Sequence, residues 1–283
     1  MIEIWKRSEQ ERLMRAHGLK HSKSYGQNFI TDRNTLEKIV EAAVPGPADH
    51  IIEIGPGLGA LTVLLAQKAG YVTAVEIDSR LIPALKEAVD GLGNIEIINE
   101  DFLRYSPSSP YKLVGNLPYY ITSPILASLF EPGHDGTRQT PPDLSVFMIQ
   151  KEVAERLLSP PGKKTYGAIS VLVQYYARAE FLFNVSREVF VPKPGVDSSA
   201  IRLWPRDISG DDPLITARMF RLVRAGFDKR RKILRNSLAD SGFSEEKLSA
   251  ALDKAGIDPV RRAETLGPRD FYSIASYLQG NAD

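Results

Sequence analysis

A segment of four residues, Asn116-Leu117-Pro118-Tyr119, places an amide, a proline and an aromatic ring directly after the apolar run 112–115. That run predicts a buried strand, and open α/β sheets bind ligands at the carboxyl ends of their strands. The Asn116 oxygen and a carbonyl of Leu117 or Pro118 can accept both hydrogens of the exocyclic amine of a base, because proline lacks an N–H and fixes the local backbone. The Tyr119 ring can stack on that base. The alternative interpretation is a strand end and a turn, with the tyrosine in the core.

A glycine-rich segment, Glu53 to Ala60, follows a second predicted strand and opens a predicted helix. Gly55 and Gly57 permit a tight turn and the close approach of backbone to a ligand. Glu76 ends the next predicted strand, about 20 residues further on, where a carboxylate can accept hydrogen bonds from both ribose hydroxyls of a nucleotide. Because Gly55, Gly57 and Ala60 match the dinucleotide-binding fingerprint, an NAD-dependent oxidoreductase and a purely structural turn both remain open.

Two features favour S-adenosylmethionine over a dinucleotide. Asp101 and Phe102 follow the third predicted strand, where the carboxylate can bind an adenine amine and the ring can line the pocket. Glu53 begins an acid-x-Gly-x-Gly pattern that resembles the first motif of class I methyltransferases. A sulfonium cofactor has no pyrophosphate, and the glycine segment contains no basic side chain that would bind one. Ile77, which follows the candidate ribose ligand Glu76, is included in the predicted cofactor site.

The composition of the 283-residue chain limits the classes of protein it can belong to. It has a net charge of +1 and no cysteine, which excludes disulfides, zinc–thiolate sites and a cysteine nucleophile. No bound metal is predicted. The N-terminus has no apolar signal segment, and no apolar run approaches membrane-spanning length. We therefore expect a cytoplasmic protein that has no membrane partner.

Strand-like and helix-like patterns alternate from residue 50 to residue 204, which predicts a parallel sheet covered by helices. A polar segment with glycine and proline, residues 207–213, predicts a linker, and only helical periodicities follow it. The predicted fold is therefore α/β, of the class I (Rossmann-like) S-adenosylmethionine-dependent methyltransferase type, with a small C-terminal all-α domain. The predicted divisions are a basic N-terminal arm (1–33), a catalytic domain that binds the cofactor (34–206) and a helical RNA-binding domain (207–283).

With these segments in place, the chain resembles the bacterial 16S ribosomal RNA adenine N6-dimethyltransferases, the KsgA family, from the basic arm to near the C-terminus. Each motif alone is weak, and the combination is specific. The motifs that carry the resemblance are Lys23 to Phe29 (KSYGQNF), Glu53 to Thr62 (EIGPGLGALT), Glu76 to Asp78 (EID), Asn116 to Pro124 (NLPYYITSP), Gln150 to Arg156 (QKEVAER), Val189 to Ser198 (VFVPKPGVDS) and Arg261 to Leu266 (RRAETL).

The resemblance implies an activity and a site. Such enzymes transfer methyl groups from S-adenosylmethionine to N6 of two adjacent adenosines in the 3′-terminal hairpin loop of 16S rRNA in an immature 30S subunit, and we expect a monomer with that partner. Tyr25 and Ile30 stand where this family usually has leucine, and residues 131–143 fit the family pattern poorly. The resemblance implies cofactor contacts at Asn28, Ile30, Gly55, Glu76, Asp101 and Asn116.

Such a site is expected to orient the adenine amine. The N6 lone pair is delocalised into the ring, so N6 is a poor nucleophile. If the amine donates to Asn116 and to the Leu117 or Pro118 carbonyl, its lone pair points at the sulfonium methyl group. The base must first leave its stack, which costs a few kcal/mol. Stacking on Tyr119 or Phe190 can offset this by about 1–3 kcal/mol per ring. The alternative for Phe190 is a plain core residue.

A cluster of basic residues with interleaved aromatics predicts contact with RNA phosphates, and a solvated helix face is the alternative. Arg12, Arg15, Lys20 and Lys23 of the arm are predicted to add to this surface. The predicted RNA-binding residues are Arg221, Arg224, Lys229, Arg230, Arg231, Lys232 and Arg235.

Two other functions remain open on the sequence. A 23S rRNA adenine methyltransferase of the macrolide-resistance type shares the Asn-x-Pro-Tyr segment, whereas residues 122–124, 150–156 and 261–266 favour the small-subunit enzyme. A non-catalytic ribosome assembly factor can share the fold, but the intact cofactor and target segments argue against it. The oxidoreductase hypothesis leaves residues 116–119 unexplained.

Overall fold

The structure is a computed structural model that describes residues 2–22, 25–107, 110–130 and 140–278. Within these residues, the apolar runs after residue 50 form a seven-stranded sheet. Two further short strands form a separate antiparallel pair. The predicted RNA contact Lys23 and most of the segment 131–143 lie outside the described residues. In chain order the strands are β1 (Phe29–Ile30), β2 (His50–Ile54), β3 (Tyr71–Glu76), β4 (Ile95–Asn99), β5 (Lys112–Asn116), β6 (Leu144–Gln150), β7 (Ala177–Val185), β8 (Phe190–Val191) and β9 (Ser198–Pro205).

The large sheet has the strand order β4-β3-β2-β5-β6-β9-β7. Its first five strands are parallel, and β9 is antiparallel to β6. The last four residues of β2 are all buried, which is typical of a parallel strand covered on both faces. The chain builds β3 and β4 on one side of β2 and then places β5 on the other side, where Ile54 pairs with Gly115. Open sheets bind ligands at such a reversal of strand order.

The helices between these strands confirm the alternation that the sequence predicts. For example, the predicted helix 31–43 is present from Arg33 to Ala43, because the Asp32 side chain accepts a hydrogen bond from the Thr35 N–H at 2.8 Å and caps the helix at that point. The helices are α1 (Arg7–Ala16), α2 (Arg33–Ala43), α3 (Ala60–Ala66), α4 (Ile82–Ala88), α5 (Thr122–Phe130), α6 (Lys151–Leu158), α7 (Ala168–Tyr176), α8 (Pro213–Asp228), α9 (Leu234–Ser237), α10 (Glu245–Lys254) and α11 (Pro268–Ser276).

The N-terminal segment, predicted as a basic arm, contains the helix α1, which packs on the core. Leu13 and Met14 of α1 are buried in the same core cluster as the sheet residues. Arg12 and His17 both contact Glu87, with the His17 Nε2 atom 2.8 Å from the carboxylate. The sequence did not reveal this helix because its buried residues are few, namely Gln10, Leu13 and Met14.

Two compact units divide the chain, one formed by Met1–Ala154 with Ala179–Pro205 and the other by Glu155–Arg178 with Arg206–Asp283. The predicted catalytic domain included residues 155–178, whereas in the structure these residues group with the C-terminal helices. The first unit contains the parallel strands and the short β1–β8 pair.

The second unit is built around aromatic side chains. The rings of Tyr176 and Phe220 stack with their centroids 5.5 Å apart, and the Tyr166 ring meets Phe227 edge-on at 5.9 Å. The packing of α8 is close, because a Cβ atom on Gly226 would lie 2.8 Å from the Ala263 side chain. None of the helices formed by the described residues combines the length and the hydropathy of a membrane span.

Candidate active site

The turn that follows β2 requires glycine at two positions. Gly55 and Gly57 have φ angles of +65° and +60°, in the left-handed region that other L-residues rarely adopt. A Cβ atom on Gly57 would lie 2.8 Å from the ring of Phe29, so this position has no room for a side chain. A Cβ atom on Gly55 would meet no described atom within 4 Å, and Gly55 lines a cavity. The backbone of this turn can therefore approach a ligand in the cavity closely.

This cavity lies at the carboxyl ends of β2, β3 and β5, and the structure brings all the predicted cofactor and catalytic residues to its wall. Their individual contacts with ligands remain predictions. The predicted cofactor residues on the wall are Asn28, Ile30, Gly55, Gly57, Glu76, Ile77, Asp101, Phe102 and Asn116. The predicted catalytic residues on the wall are Asn116, Leu117, Pro118, Tyr119 and Phe190.

The carboxylate of Glu76 is buried and is oriented by two backbone donors. Its Oε2 accepts the Gly57 N–H at 3.0 Å, and its Oε1 accepts the Asp78 N–H at 2.8 Å. Burial raises the pKa of Glu76 above its ordinary value, and these backbone hydrogen bonds act in the opposite direction. Because one donor belongs to the glycine turn, Glu76 joins the ends of β2 and β3 and fixes the carboxylate beside the cavity.

The turn after β4 is anchored to the same end of β3. The side-chain nitrogen of Asn99 donates to the Glu76 carbonyl at 2.7 Å. Within the turn, Asp101 Oδ1 accepts the Leu103 N–H at 3.0 Å, which orients the carboxylate, and the Phe102 ring is buried. An acid and an aromatic ring therefore stand side by side on the cavity wall, as the predicted adenine pocket requires.

Asn116, at the end of β5, is connected directly to the segment that precedes α2. Its side-chain nitrogen donates to the backbone carbonyl of Asn28 at 2.9 Å, and the Asn28 side chain donates in turn to the Gly26 carbonyl at 2.9 Å. The amide nitrogen of Asn116 is thereby engaged within the protein. The side-chain atom that can accept a hydrogen bond from a ligand amine is Oδ1.

The two candidate carbonyls after Asn116 differ in their surroundings. The Pro118 carbonyl accepts the Ile121 N–H at 3.0 Å and closes a turn before α5. The Leu117 N–H donates to the Met148 carbonyl of β6 at 3.0 Å, so this residue is fixed to the sheet. The sequence left both carbonyls open as acceptors for an amine. The turn uses the Pro118 carbonyl, which favours the Leu117 carbonyl for that role.

Tyr119 and Phe190, the two predicted stacking residues, are held in different ways. Tyr119 is half-buried, and its hydroxyl lies 3.1 Å from the Ser198 hydroxyl. Phe190 lies in β8, where it pairs with Ile30 of β1, and only 3% of it is exposed. This burial is what the core interpretation of Phe190 expects, although the residue also lines the cavity. Stacking of a base on either ring stays a prediction.

Several residues on the cavity wall are absent from the predicted site, and Gln10 and Glu53 are two of them. Gln10 of α1 donates from its side-chain nitrogen to the Ile30 carbonyl at 2.8 Å. Among the described residues, the Gln10 Oε1 and Glu53 Oε2 atoms are buried without a hydrogen-bond partner. The acid before the glycines signalled Glu53 in the sequence. No signal pointed to Gln10, because its segment was interpreted as an arm.

The chemistry of the wall matches a positively charged nucleoside cofactor. Within the described residues, the wall contains the carboxyl groups of Glu53, Glu76, Glu100 and Asp101 and no lysine, arginine or histidine. A pyrophosphate would lack a counter-charge there, whereas a sulfonium and an ammonium group would find one. The unpartnered buried oxygen of Gln10 also needs a donor. The residues present therefore fit S-adenosylmethionine better than a dinucleotide.

The predicted RNA-binding residues divide into engaged and free groups. Arg221 donates to the Ser241 carbonyl at 3.1 Å, and Lys229 and Arg235 form ion pairs with Asp240 and Glu245. Arg230 pairs with Glu264 at 2.5 Å. Three members of the predicted RNA-binding set are exposed and have no hydrogen-bond or ion-pair partner in the described part of the chain. They are Arg224, Arg231 and Lys232.

Comparison with known proteins agrees with this chemistry. The family model for ribosomal RNA adenine dimethylase matches residues 18–280. The chain belongs to this family. A protein of Pelotomaculum thermopropionicum described as ribosomal RNA small subunit methyltransferase A is 46% identical, over 93% of each chain. A Streptococcus pneumoniae protein of the same description is 42% identical, over 95% of each chain.

Two solved structures have the same fold. A dimethyladenosine transferase from Plasmodium falciparum has a TM-score of 0.77 and 26% identity, and covers 87% of this chain and 95% of its own. The 23S rRNA methyltransferase ErmE has a TM-score of 0.68 and 31% identity, and covers 88% of this chain and 99% of its own.

The family confirms the predicted class I S-adenosylmethionine-dependent methyltransferase fold. It also confirms that the protein is an S-adenosylmethionine-dependent rRNA adenine dimethyltransferase. The oxidoreductase interpretation of the glycine segment is therefore wrong. The dinucleotide fingerprint was ambiguous because both cofactor classes need the same close approach of backbone to a nucleoside.

Proposed function

We propose that the protein dimethylates N6 of two adjacent adenosines in the 3′-terminal hairpin loop of 16S rRNA, in the immature 30S subunit. It acts as a monomer in the cytoplasm, where this substrate is assembled. The observation that carries the proposal is the hydrogen bond between Asn116 and the Asn28 carbonyl, beside the glycine turn. This bond puts the segment that would hold the amine next to the segment that would hold the cofactor.

The assignment of the small ribosomal subunit as the substrate rests on sequence similarity over most of the chain. The relatives at 42–46% identity are small subunit methyltransferases, and they match more than nine-tenths of this chain. ErmE, at 31% identity, acts on 23S rRNA. The fold is common to both, so it does not separate the two substrates, and the large subunit remains the second candidate.

In the proposed mechanism the protein orients the amine. Asn116 Oδ1 and the Leu117 carbonyl accept the two N6 hydrogens, which turns the nitrogen lone pair away from the ring and towards the methyl donor. S-adenosylmethionine, when bound, supplies a methyl group on a positively charged sulfur. Asn116 Oδ1 and the Leu117 carbonyl would hold N6 during the methyl transfer, after which one N6 proton would pass to water. Before the second transfer N6 carries one methyl group and one hydrogen, so only one of the two acceptors, Asn116 Oδ1 or the Leu117 carbonyl, would then receive a hydrogen bond.

Electrostatic interactions of the site would also stabilise the transition state of methyl transfer. N6 becomes positively charged as the new bond forms, and Asn116 Oδ1 faces that charge with a fixed dipole. The hydroxyl of the half-buried Tyr119 lies 3.1 Å from the Ser198 hydroxyl, which restricts the position of the ring. The acceptors are positioned before the reaction by the Asn28 carbonyl and by the sheet, so they need little reorganisation.

The test is to incubate the protein with labelled S-adenosylmethionine and either undermethylated 30S subunits or 50S precursors, and then to map the modified base. The proposal predicts label on N6 of two adjacent adenosines near the 3′ end of 16S rRNA. Label in 23S rRNA would establish the second candidate instead. An Asn116→Ala sample processed in parallel controls for a contaminating methyltransferase.

A further inference from the structure

The loop between α6 and α7 carries two adjacent lysines, Lys163 and Lys164, that the predicted RNA-binding set does not include. Both residues are exposed, and within the described ranges neither ammonium group has a hydrogen-bond or ion-pair partner. Two neighbouring positive charges repel each other, and an anion bound between them would relieve that repulsion. The loop therefore offers charge to a partner from outside the chain.

The backbone of this loop is fixed by residues much later in the chain. Arg230 Nη2 donates to the Lys164 carbonyl at 2.6 Å and to the Lys163 carbonyl at 3.4 Å. Its Nε donates to the Glu264 carboxylate at 2.5 Å. The Gly162 N–H donates to the Glu264 carbonyl at 2.7 Å. Two residues distant in sequence, Arg230 and Glu264, thus hold the backbone of the two lysines in one place.

A second anchor lies immediately after the lysines. The Tyr166 hydroxyl is buried and donates to the Leu266 carbonyl at 3.0 Å. Because the loop is tied down on both sides, its backbone conformation is set before any partner binds. A pre-ordered loop loses less entropy on binding than a free one.

Arg230 has a different role in this network from the one that the basic run predicts. Its guanidinium donates to two backbone carbonyls and is paired with Glu264, which offsets its charge. Its neighbours Arg231 and Lys232 are exposed and unpaired in the described part of the chain. The free positive charge next to Arg230 is therefore carried by these two residues and by the lysines whose carbonyls it binds.

We propose that Lys163 and Lys164 bind phosphates of the RNA substrate, and that Arg230 is a positioning residue that holds their loop. The inference rests on the proposed function, since it takes ribosomal RNA as the partner. Lysine suits this task because a compact ammonium group binds phosphate oxygens without demanding one geometry. Contacts of this kind increase affinity and fix orientation, and they carry little sequence information.

The first experiment compares Lys163→Ala/Lys164→Ala with a charge-matched control, Lys68→Ala/Lys86→Ala, in binding to undermethylated 30S subunits across a salt series. The control changes two exposed lysines that lie outside the predicted RNA-binding domain. The lysine-loop variant should bind roughly tenfold more weakly at low salt, and its log–log salt slope should fall by about one per lysine. The control should keep the wild-type slope. Equal slopes in wild type and the loop variant would overturn the inference. If wild type itself does not bind 30S subunits, the proposed function fails instead.

The second experiment tests the positioning role by adding Arg230→Ala to the lysine-loop variant. Arg230→Ala alone should weaken 30S binding, whereas its addition to Lys163→Ala/Lys164→Ala should change affinity by less than about twofold. Calorimetric binding of S-adenosylmethionine and a thermal melt check that each variant is folded. A further fall in the salt slope of the triple variant would mean that Arg230 contacts phosphate itself, and the positioning role would be wrong.

Discussion

The side-chain nitrogen of Asn116 donates a hydrogen bond of 2.9 Å to the backbone carbonyl of Asn28. Asn28 immediately precedes β1, whose Ile30 pairs with Phe190 of β8. One hydrogen bond therefore links the end of β5 to the two segments predicted to bind the cofactor and the target base. It also leaves the Asn116 oxygen as the acceptor for an incoming amine. In the proposed mechanism the fold would orient that amine without a titrating base.

Replacement of Asn116 by aspartate separates two roles of this side chain. One is to accept a hydrogen bond from the amine, and the other is to donate to the Asn28 carbonyl, which fixes the side chain in place. Aspartate keeps an oxygen for the amine but cannot donate to the Asn28 carbonyl, so its carboxylate is less well fixed. The net worth of one such hydrogen bond is about 0.5–1.5 kcal/mol, so we expect single-turnover methylation to slow by about tenfold. A rate equal to that of wild type would show that the bond to Asn28 does not position the side chain.

Glu76→Ala is expected to weaken S-adenosylmethionine binding. A hydrogen bond to a charged group contributes about 1.5–3 kcal/mol, so loss of the ribose acceptor should raise the dissociation constant at least about tenfold. The glycine turn also loses the acceptor for the Gly57 N–H. Calorimetry measures the affinity, and a thermal melt checks the fold. Unchanged affinity in a folded variant would remove Glu76 from the cofactor site.

The pH dependence of stability tests the burial of Glu53. Burial, with a smaller contribution from the charge of Glu76, raises the pKa of Glu53 to about 8 in the folded protein, against an ordinary value of 4.5. Between these pH values the folded state holds a proton that the unfolded state releases. This group therefore makes the free energy of unfolding fall as pH rises from about 4.5 to about 8, by at most about 1.4 kcal/mol per pH unit.

Glu53→Gln removes this titration, so the stability of wild type should fall relative to that variant as pH rises through the window. Denaturant unfolding at several pH values measures the difference. Glu41→Gln changes an exposed glutamate of α2 and serves as the control. If the difference between wild type and Glu53→Gln does not vary with pH, Glu53 is ionised throughout and its pKa is not raised.

Arg231→Ala with Lys232→Ala is expected to weaken binding to 30S subunits without altering cofactor affinity. Both side chains are exposed, so their loss should not disturb packing. The salt slope should fall by about one per residue, and the loss of affinity should shrink as salt rises. A loss of equal size at every salt concentration would point to damage of the fold. Arg230 is not included, because its guanidinium holds Glu264 and the lysine loop.

Much of the first unit was predictable, because strong local constraints act on its sequence. Buried parallel strands need mostly apolar segments, and 51–54 and 112–115 are apolar apart from Glu53 and Lys112. The glycine turn needs a left-handed backbone at Gly55 and Gly57, which few residues other than glycine tolerate. Since parallel strands bring their carboxyl ends to one edge, motifs far apart in sequence could be assigned to one site.

The parts of the fold and of the site that the sequence did not predict depend on contacts between distant residues. No local sequence pattern encodes such contacts. The strands β1 and β8 have two residues each and lie about 160 residues apart, as the hydrogen bond from Thr31 to Val189 across 158 residues illustrates. Gln10 reaches the cavity only because α1 packs on the core. Arg230 was grouped with its basic neighbours because a charge run does not reveal which members pair with an acid, here Glu264.

Single-turnover methylation of saturating 30S subunits by Asn116→Ala tests the central claim most directly. The Asn116 oxygen should matter most when N6 gains positive charge, so its loss should appear in turnover and not in RNA affinity. We expect a rate lower by about 10²–10³-fold, somewhat weaker cofactor binding and unchanged 30S binding. A variant within a factor of a few of the wild-type rate would contradict the account and show that another group orients the amine.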